Sequence, residues 1–182
     1  MFGTPGVDFF ELFGMMPTFS VDQEQLSMRY RELQRAAHPD RFANASAQDK
    51  RISVQQAALI NEAYQVLRSP LSRARYMLER LGATIDDTDT RMDPAFLMEQ
   101  MMLREALAEV SGSEDPFFAL DKLRDRIETM ERDMVSRLAQ LLDGDTDQET
   151  LALGVQLIRK MQFTQRLLGE LDDLEDTLVH AS

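Results

Sequence analysis

The sequence predicts an all-α protein, and three observations carry that prediction. The 182 residues include no Trp, three Tyr and twelve Met. They are rich in Leu, Ala, Glu and Arg, side chains that lose little freedom on entering a helix. Apolar residues recur at spacings of three and four over long stretches, most regularly at Leu120, Leu123, Ile127, Met130, Met134, Leu138 and Leu141. Gly14, Gly82, Gly112 and Gly144, with Pro70 and Pro94, punctuate those stretches as helix stops and starts.

The elements follow in order. Asp8–Gly14 reads as a short helical turn whose three Phe residues anchor a core, stopped at Gly14. Ser20 or Asp22 caps the next helix, about residues 21–37, where Leu26, Tyr30, Leu33 and Ala37 form one apolar stripe. Arg31 and Arg35 lie one turn apart, roughly 100–140° from Tyr30, and should face solvent. Pro39 cannot continue that helix and pushes His38 toward extended geometry, so His38 closes it. After a loop at 41–47, a longer helix runs from about Gln48 to Arg68 with Ile52, Leu59, Ala63 and Val66 on its buried face. Two helices joined this briefly should pack antiparallel. Pro70 is well placed as the first residue of a further helix ending near Leu81-Gly82.

Residues 83–92, rich in Asp and Thr, form a linker between two units, 1–82 and 93–182. Asp93-Pro94 starts a helix to about Val110, the regular helix through Leu120–Leu141 comes next, and a last one covers about 147–179 with Leu157, Met161, Leu168 and Leu171 on one side. These three make a bundle.

Composition narrows the function. Residues 1–82 carry 10 Lys and Arg against 9 Asp and Glu, or +1, whereas 83–182 carry 10 against 23, or −13. Such asymmetry marks units with different partners. The acidic half argues against nucleic acid, which needs a basic footprint. No apolar run approaches the ~20 residues that span a bilayer, and no basic segment precedes an apolar one at the N-terminus as in a signal peptide. Without cysteine there is no disulfide and no thiolate ligand or nucleophile. The two histidines, His38 and His180, are too few for a typical zinc site. No cofactor or metal is expected.

The tripeptide His38-Pro39-Asp40 stands at the expected tip of the helical hairpin, where loops carry recognition. With the basic helix before it and the long helix after it, the order of elements resembles a J-domain. More closely, Asp8–Gly14, His38–Ala43, Ile60–Tyr64, Leu67–Pro70, Arg73-Ala74 and Phe96–Gln100 resemble the HscB family, the J-type co-chaperones of iron–sulfur cluster biogenesis. The resemblance spans nearly the whole chain and is weaker beyond about residue 112. It implies an N-terminal J-domain (an antiparallel helical hairpin with flanking helices) and a C-terminal three-helix bundle in an L-shaped arrangement.

It also implies a mechanism. The J-domain would dock on a DnaK-type ATPase chaperone, HscA-like, and stimulate ATP hydrolysis. The bundle would hold an IscU-type scaffold and deliver it for cluster transfer, so the chain itself would not be an enzyme. His38, Pro39 and Asp40 match the family signature, and Arg31, Arg35 and Arg41 occupy positions of basic contacts. Arginines around an exposed polar tip suit an acidic partner and would steer its approach.

The helix from Asp93 has more apolar residues than one buried stripe needs. Leu103, Leu107 and Val110 fall within about 40° of Phe96, while Leu97, Met98, Met101 and Met102, with Glu105 and Glu109, fall around the opposite side, about 100–240° away. Periodicity alone leaves that side either buried or an adaptable exposed patch. The resemblance makes Leu97, Met98, Met101, Arg104, Glu105 and Glu109 scaffold contacts, with Phe163 contributed by the last helix. Phe163, roughly 200° from Met161, would point outward. Met102 stands where a carboxylate can occur, and Met92 replaces a basic residue found in some members. The compact form without a cysteine-rich extension implies the bacterial cytoplasm. Two other readings are a J-protein with a different polypeptide client, disfavoured by the Phe96–Gln100 match, and a helical adaptor in which the tripeptide is incidental.

Overall fold

A computed structural model describes residues 7–38, 46–86, 93–144 and 147–181. Among them are seven helices and no strand: α1 Phe9–Leu12, α2 Gln23–Ala37, α3 Ala47–Arg68, α4 Pro70–Arg80, α5 Pro94–Val110, α6 Pro116–Leu142 and α7 Gln148–Ala181. The chain is all-α. None of these helices is long and apolar enough to cross a membrane. Two compact units emerge, one within residues 1–82 together with the turn at 142–145, the other within 83–141 and 146–182.

In the first unit, aromatic anchoring fixes the short α1. Asp8 caps it, accepting from the Phe10 amide at 2.8 Å, and Arg80 Nε on α4 donates to the same carboxylate at 2.8 Å. Phe9 stacks on Tyr76 at 4.7 Å, and its amide donates to the Tyr76 hydroxyl at 2.9 Å. Gly14 ends the turn with φ 61°, a left-handed conformation that costs glycine little. Asp22 is the residue that caps α2.

α2 and α3 pack antiparallel, as their cross-pairs require. Ser27 meets Tyr64 hydroxyl to hydroxyl at 3.3 Å, Tyr30 donates to Asn61 Oδ1 at 2.8 Å, and Gln34 Nε2 donates to Asn61 Oδ1 at 2.6 Å and to the Ala57 carbonyl at 3.4 Å. As numbers rise on α2 they fall on α3. Tyr30 and Tyr64 stack at 4.1 Å.

The buried face of α3 differs from the expected one at its start. Ile52, expected inside, is 42% exposed, and Ser53 is buried instead. The Ser53 hydroxyl donates to the Lys50 carbonyl at 2.9 Å, so a small polar side chain satisfied by its own helix takes the inward position. From there the face runs through Ile60, Ala63, Val66 and Leu67, so Ala63 and Val66 are buried as expected while Leu59 is only half-buried beside Ile60.

In the second unit, α5, α6 and α7 enclose a core of Phe96, Leu103 and Val110 from α5, Leu120, Leu123 and Ile127 from α6, and Phe163, Leu167 and Leu171 from α7. Arg124 on α6 binds Asp172 and Glu175 on α7, and Thr164 on α7 donates to Glu131 on α6 at 2.8 Å, which makes these two helices antiparallel. α5 runs parallel to α7: Lys160 pairs with Asp93 at 3.0 Å and Arg104 with Glu170 at 3.4 Å.

Candidate functional site

Two surfaces were expected, one on each unit. On the first, α2 presents Arg31 and Arg35 to solvent, and His38 is exposed just beyond the helix at φ −61°, ψ 128°. That extended backbone is what a following proline imposes. Arg31 Nε donates back to the Ser27 carbonyl at 3.2 Å, which lays the guanidinium along the outer face of the helix. Met28 is exposed one turn earlier on that face, three residues before Arg31 and seven before Arg35. Composition did not single it out, although its position among arginines on a helix exterior is a readable signal. Pro39, Asp40 and Arg41 lie outside the described residues, as do Met92 and most of the expected linker.

On the second unit, α5 is apolar on both sides. Phe96, Leu103 and Val110 are buried, whereas Leu97, Met98, Met101 and Met102 are exposed, Met98 by 67% and Met101 by 72%. Glu105 and Glu109 continue that outward face as exposed carboxylates. The start of α5 is held rigidly beneath it. Asp93 caps the helix through the Ala95 amide at 2.8 Å and accepts from Lys160 Nζ at 3.0 Å. The Lys160 bond, then the Ala95 amide, hold the Asp93 carboxyl below its ordinary pKa. Lys160 also lies 4.9 Å over the Phe96 ring. The strip is therefore a fixed apolar ridge with a carboxylate flank, able to bury aliphatic side chains and to accept bonds from cationic ones.

Arg104 is exposed but engaged within the bundle, on Glu170 and 5.7 Å over the Phe163 ring. Phe163 itself requires a correction. Expected to point outward, it is 4% exposed and meets Phe96 edge-on at 5.8 Å. The helical projection assumed one buried stripe on α7, through Met161. α7 turns a second stripe into the three-helix core, with Phe163, Leu167 and Leu171 buried and Leu174 and Leu178 partly so, at spacings of four, four, three and four. A helix with two packed neighbours buries a wider arc than one stripe.

The turn after α6 carries a constellation that sequence reading passed over. Asp143, in the first compact unit, accepts from the Thr18 hydroxyl at 2.8 Å, the Ser20 hydroxyl at 2.8 Å, the Ser20 amide at 3.2 Å and the Phe19 amide. Burial pushes its carboxyl up, but the four donors outweigh that and hold it below its ordinary value. Behind it Arg73 is buried, its guanidinium 4.8 Å over the Phe19 ring and donating to the Leu67 carbonyl. Desolvation lowers the Arg73 pKa, and the Asp143 charge opposes that. In sequence Asp143-Gly144-Asp145 reads only as a helix stop. Among the described residues no group of three or more His, Asp or Glu is placed to hold a metal ion.

Comparison with known proteins bears on the family and the fold. Residues 8–76 match the DnaJ domain, and residues 92–172 match the HSCB C-terminal oligomerisation domain. A co-chaperone protein HscB homolog of Shewanella loihica is 43% identical over 173 residues, spanning 94% of this chain and 99% of its own length. The structure of chaperone HscB from Vibrio cholerae superposes with a TM-score of 0.84 at 40% identity, covering 94% of this chain and 99% of that one. The human co-chaperone HscB gives a TM-score of 0.85 at 28% identity, covering 96% and 85%.

Proposed function

The chain belongs to the HscB family of J-domain co-chaperones, and from that premise we propose that it couples a DnaK-type, HscA-like ATPase chaperone to an IscU-type iron–sulfur scaffold. The α2 surface around His38, with Arg31 and Arg35 and with Pro39, Asp40 and Arg41 after it, docks on the chaperone and stimulates hydrolysis. The outward face of α5, Leu97, Met98 and Met101 with Arg104, Glu105 and Glu109, holds the scaffold. On this reading residues 1–82 are the J-domain, 83–92 the linker and 93–182 the scaffold-binding bundle. The hydrolytic site belongs to the chaperone, and this chain contributes binding and orientation. The cytoplasm of a bacterium is where these partners would be met.

The observation that carries the reading is α5. A bundle helix that buries Phe96, Leu103 and Val110 leaves four more large apolar side chains in water, which a monomer rarely does without a partner. Their Met character suits a client whose surface must be released after transfer. Arg31 and Arg35 suit an acidic surface on the chaperone and would steer its approach, a contribution to association rate that salt should weaken. Phe163 supports the ridge from beneath, through Phe96 and Arg104. Titration calorimetry of the intact protein into the scaffold tests the proposal, beside the variant L97A/M98A/M101A. Binding by the native chain that disappears in the still-folded variant is the expected result. No binding by the native chain to a folded scaffold would remove the iron–sulfur assignment and leave a J-protein with another client.

A further inference from the structure

The three-helix unit has a second exposed apolar group, separate from the α5 ridge. Phe117 and Phe118 open α6 and both are exposed, Phe118 by 67%; the buried α6 residues begin at Leu120. Register across the helices identifies their neighbour. Arg124 on α6 binds Asp172 at 2.6 Å and Glu175 at 2.7 Å on the antiparallel α7. Phe117 lies seven residues before Arg124, and Val179 lies seven after Asp172 and four after Glu175. Steps of four and seven keep a helical face. Phe117 and Val179 therefore sit abreast, two turns beyond the ion pairs, and Val179 is exposed as well.

The surround of this end is acidic. Phe118 shares its face with Asp121 and Asp125, three and seven residues on, both exposed. Its amide donates to the Asp115 carboxylate at 3.0 Å. Val179 shares its face with the exposed Asp176. Lys122 lies among these acids, while Arg124 is already neutralised by two carboxylates.

Two exposed Phe side chains and a Val flanked by exposed carboxylates, which outnumber the one exposed Lys122 on the Phe118 face, fit one kind of partner well. Aromatic side chains are favoured at interface centres, with charge at the rim setting the choice of partner. A second copy would bring matching acidic rims together, within a half of the chain that nets −13. Anionic lipid headgroups would be repelled in the same way. We infer that the Phe117–Phe118–Val179 end of the bundle is a docking surface for a Lys- or Arg-rich amphipathic helical segment of another protein. Such a segment lays its apolar face on the aromatic pair and its cations on Asp121, Asp125 and Asp176.

The test uses the intact protein and a fluorescein-labelled 18-residue Leu/Lys amphipathic peptide, read by fluorescence anisotropy, with a Leu/Glu peptide of the same pattern beside it. The Leu/Lys peptide should bind and lose affinity about tenfold or more in F117Q/F118Q and in the charge reversal D121K/D125K. The same loss should appear when F117Q/F118Q is added to L97A/M98A/M101A, a background in which the α5 ridge no longer offers the peptide a second apolar site. All these positions are exposed, and circular dichroism confirms that each variant is folded. Equal affinity in the native protein and both end-patch variants, or equal binding of the Leu/Glu peptide, would overturn the inference. So would a concentration-dependent dimer, in sedimentation, that F117Q/F118Q abolishes, since the surface would then belong to a second copy.

Discussion

Asp143 shows how much one exposed turn residue can organise. Its carboxylate accepts four hydrogen bonds from Thr18, Phe19 and Ser20, fixing the segment over which Phe19 covers Arg73. Asp143→Ala should destabilise by about 1 kcal/mol, modest because the bonds are open to solvent. The effect should depend on pH in a definite direction. The folded carboxyl lies below the ordinary 3.8, so its stabilisation is fully present above the unfolded value and is lost as pH falls through the folded one. Urea unfolding of the two proteins should therefore differ at pH 7 and converge in acid. Phe163 makes the complementary case. With its ring buried against Phe96, Phe163→Ala should cost about 3 kcal/mol through the cavity it leaves. The readout is a lower midpoint in thermal unfolding. An outward contact residue would instead lose scaffold affinity at unchanged stability.

Within one element, α5 divides, on the proposed reading, into a face for stability and a face for recognition. L97A/M98A/M101A should change unfolding free energy by about 1 kcal/mol or less, since exposed positions rarely matter more. Scaffold affinity should fall about 100-fold or more, as for a cluster of central contacts. L103A, on the opposite face, should do the reverse, and paired denaturation and calorimetry would separate the two. The helices were legible because their punctuation is local: Asp22, Asp93-Pro94, Ser69-Pro70 and Gly14 each act within a turn. The outward face of α5 was legible in part: its eight large apolar residues exceed one stripe, but periodicity left the second side either buried or exposed. What the sequence hid is partly local and partly set by partners far along the chain. Ile52 yields its place to Ser53 because a hydroxyl can satisfy itself against its own helix. Phe163 turns inward because α7 has two neighbours, and Asp143 finds donors more than 120 residues away.

For the whole molecule, charge divides along the same line as the two proposed surfaces. The near-neutral first half carries the arginine face of α2, and the acidic second half carries the α5 ridge. Raising salt should slow association with the chaperone, where exposed arginines steer, more than it weakens scaffold binding, where burial of Leu and Met dominates. Stopped-flow association with each partner at low and moderate ionic strength would show the contrast. On the proposed reading one chain acts on a chaperone through α2 and on a scaffold through α5. The most direct measurement is the steady-state ATPase rate of the HscA-like chaperone with subsaturating scaffold and native protein, H38Q or L97A/M98A/M101A. The native protein should stimulate strongly, H38Q should not stimulate at all, and the α5 variant should retain only the stimulation seen without scaffold. Stimulation by H38Q equal to the native protein, or a scaffold effect undiminished in the α5 variant, would rule out this division of roles between α2 and α5.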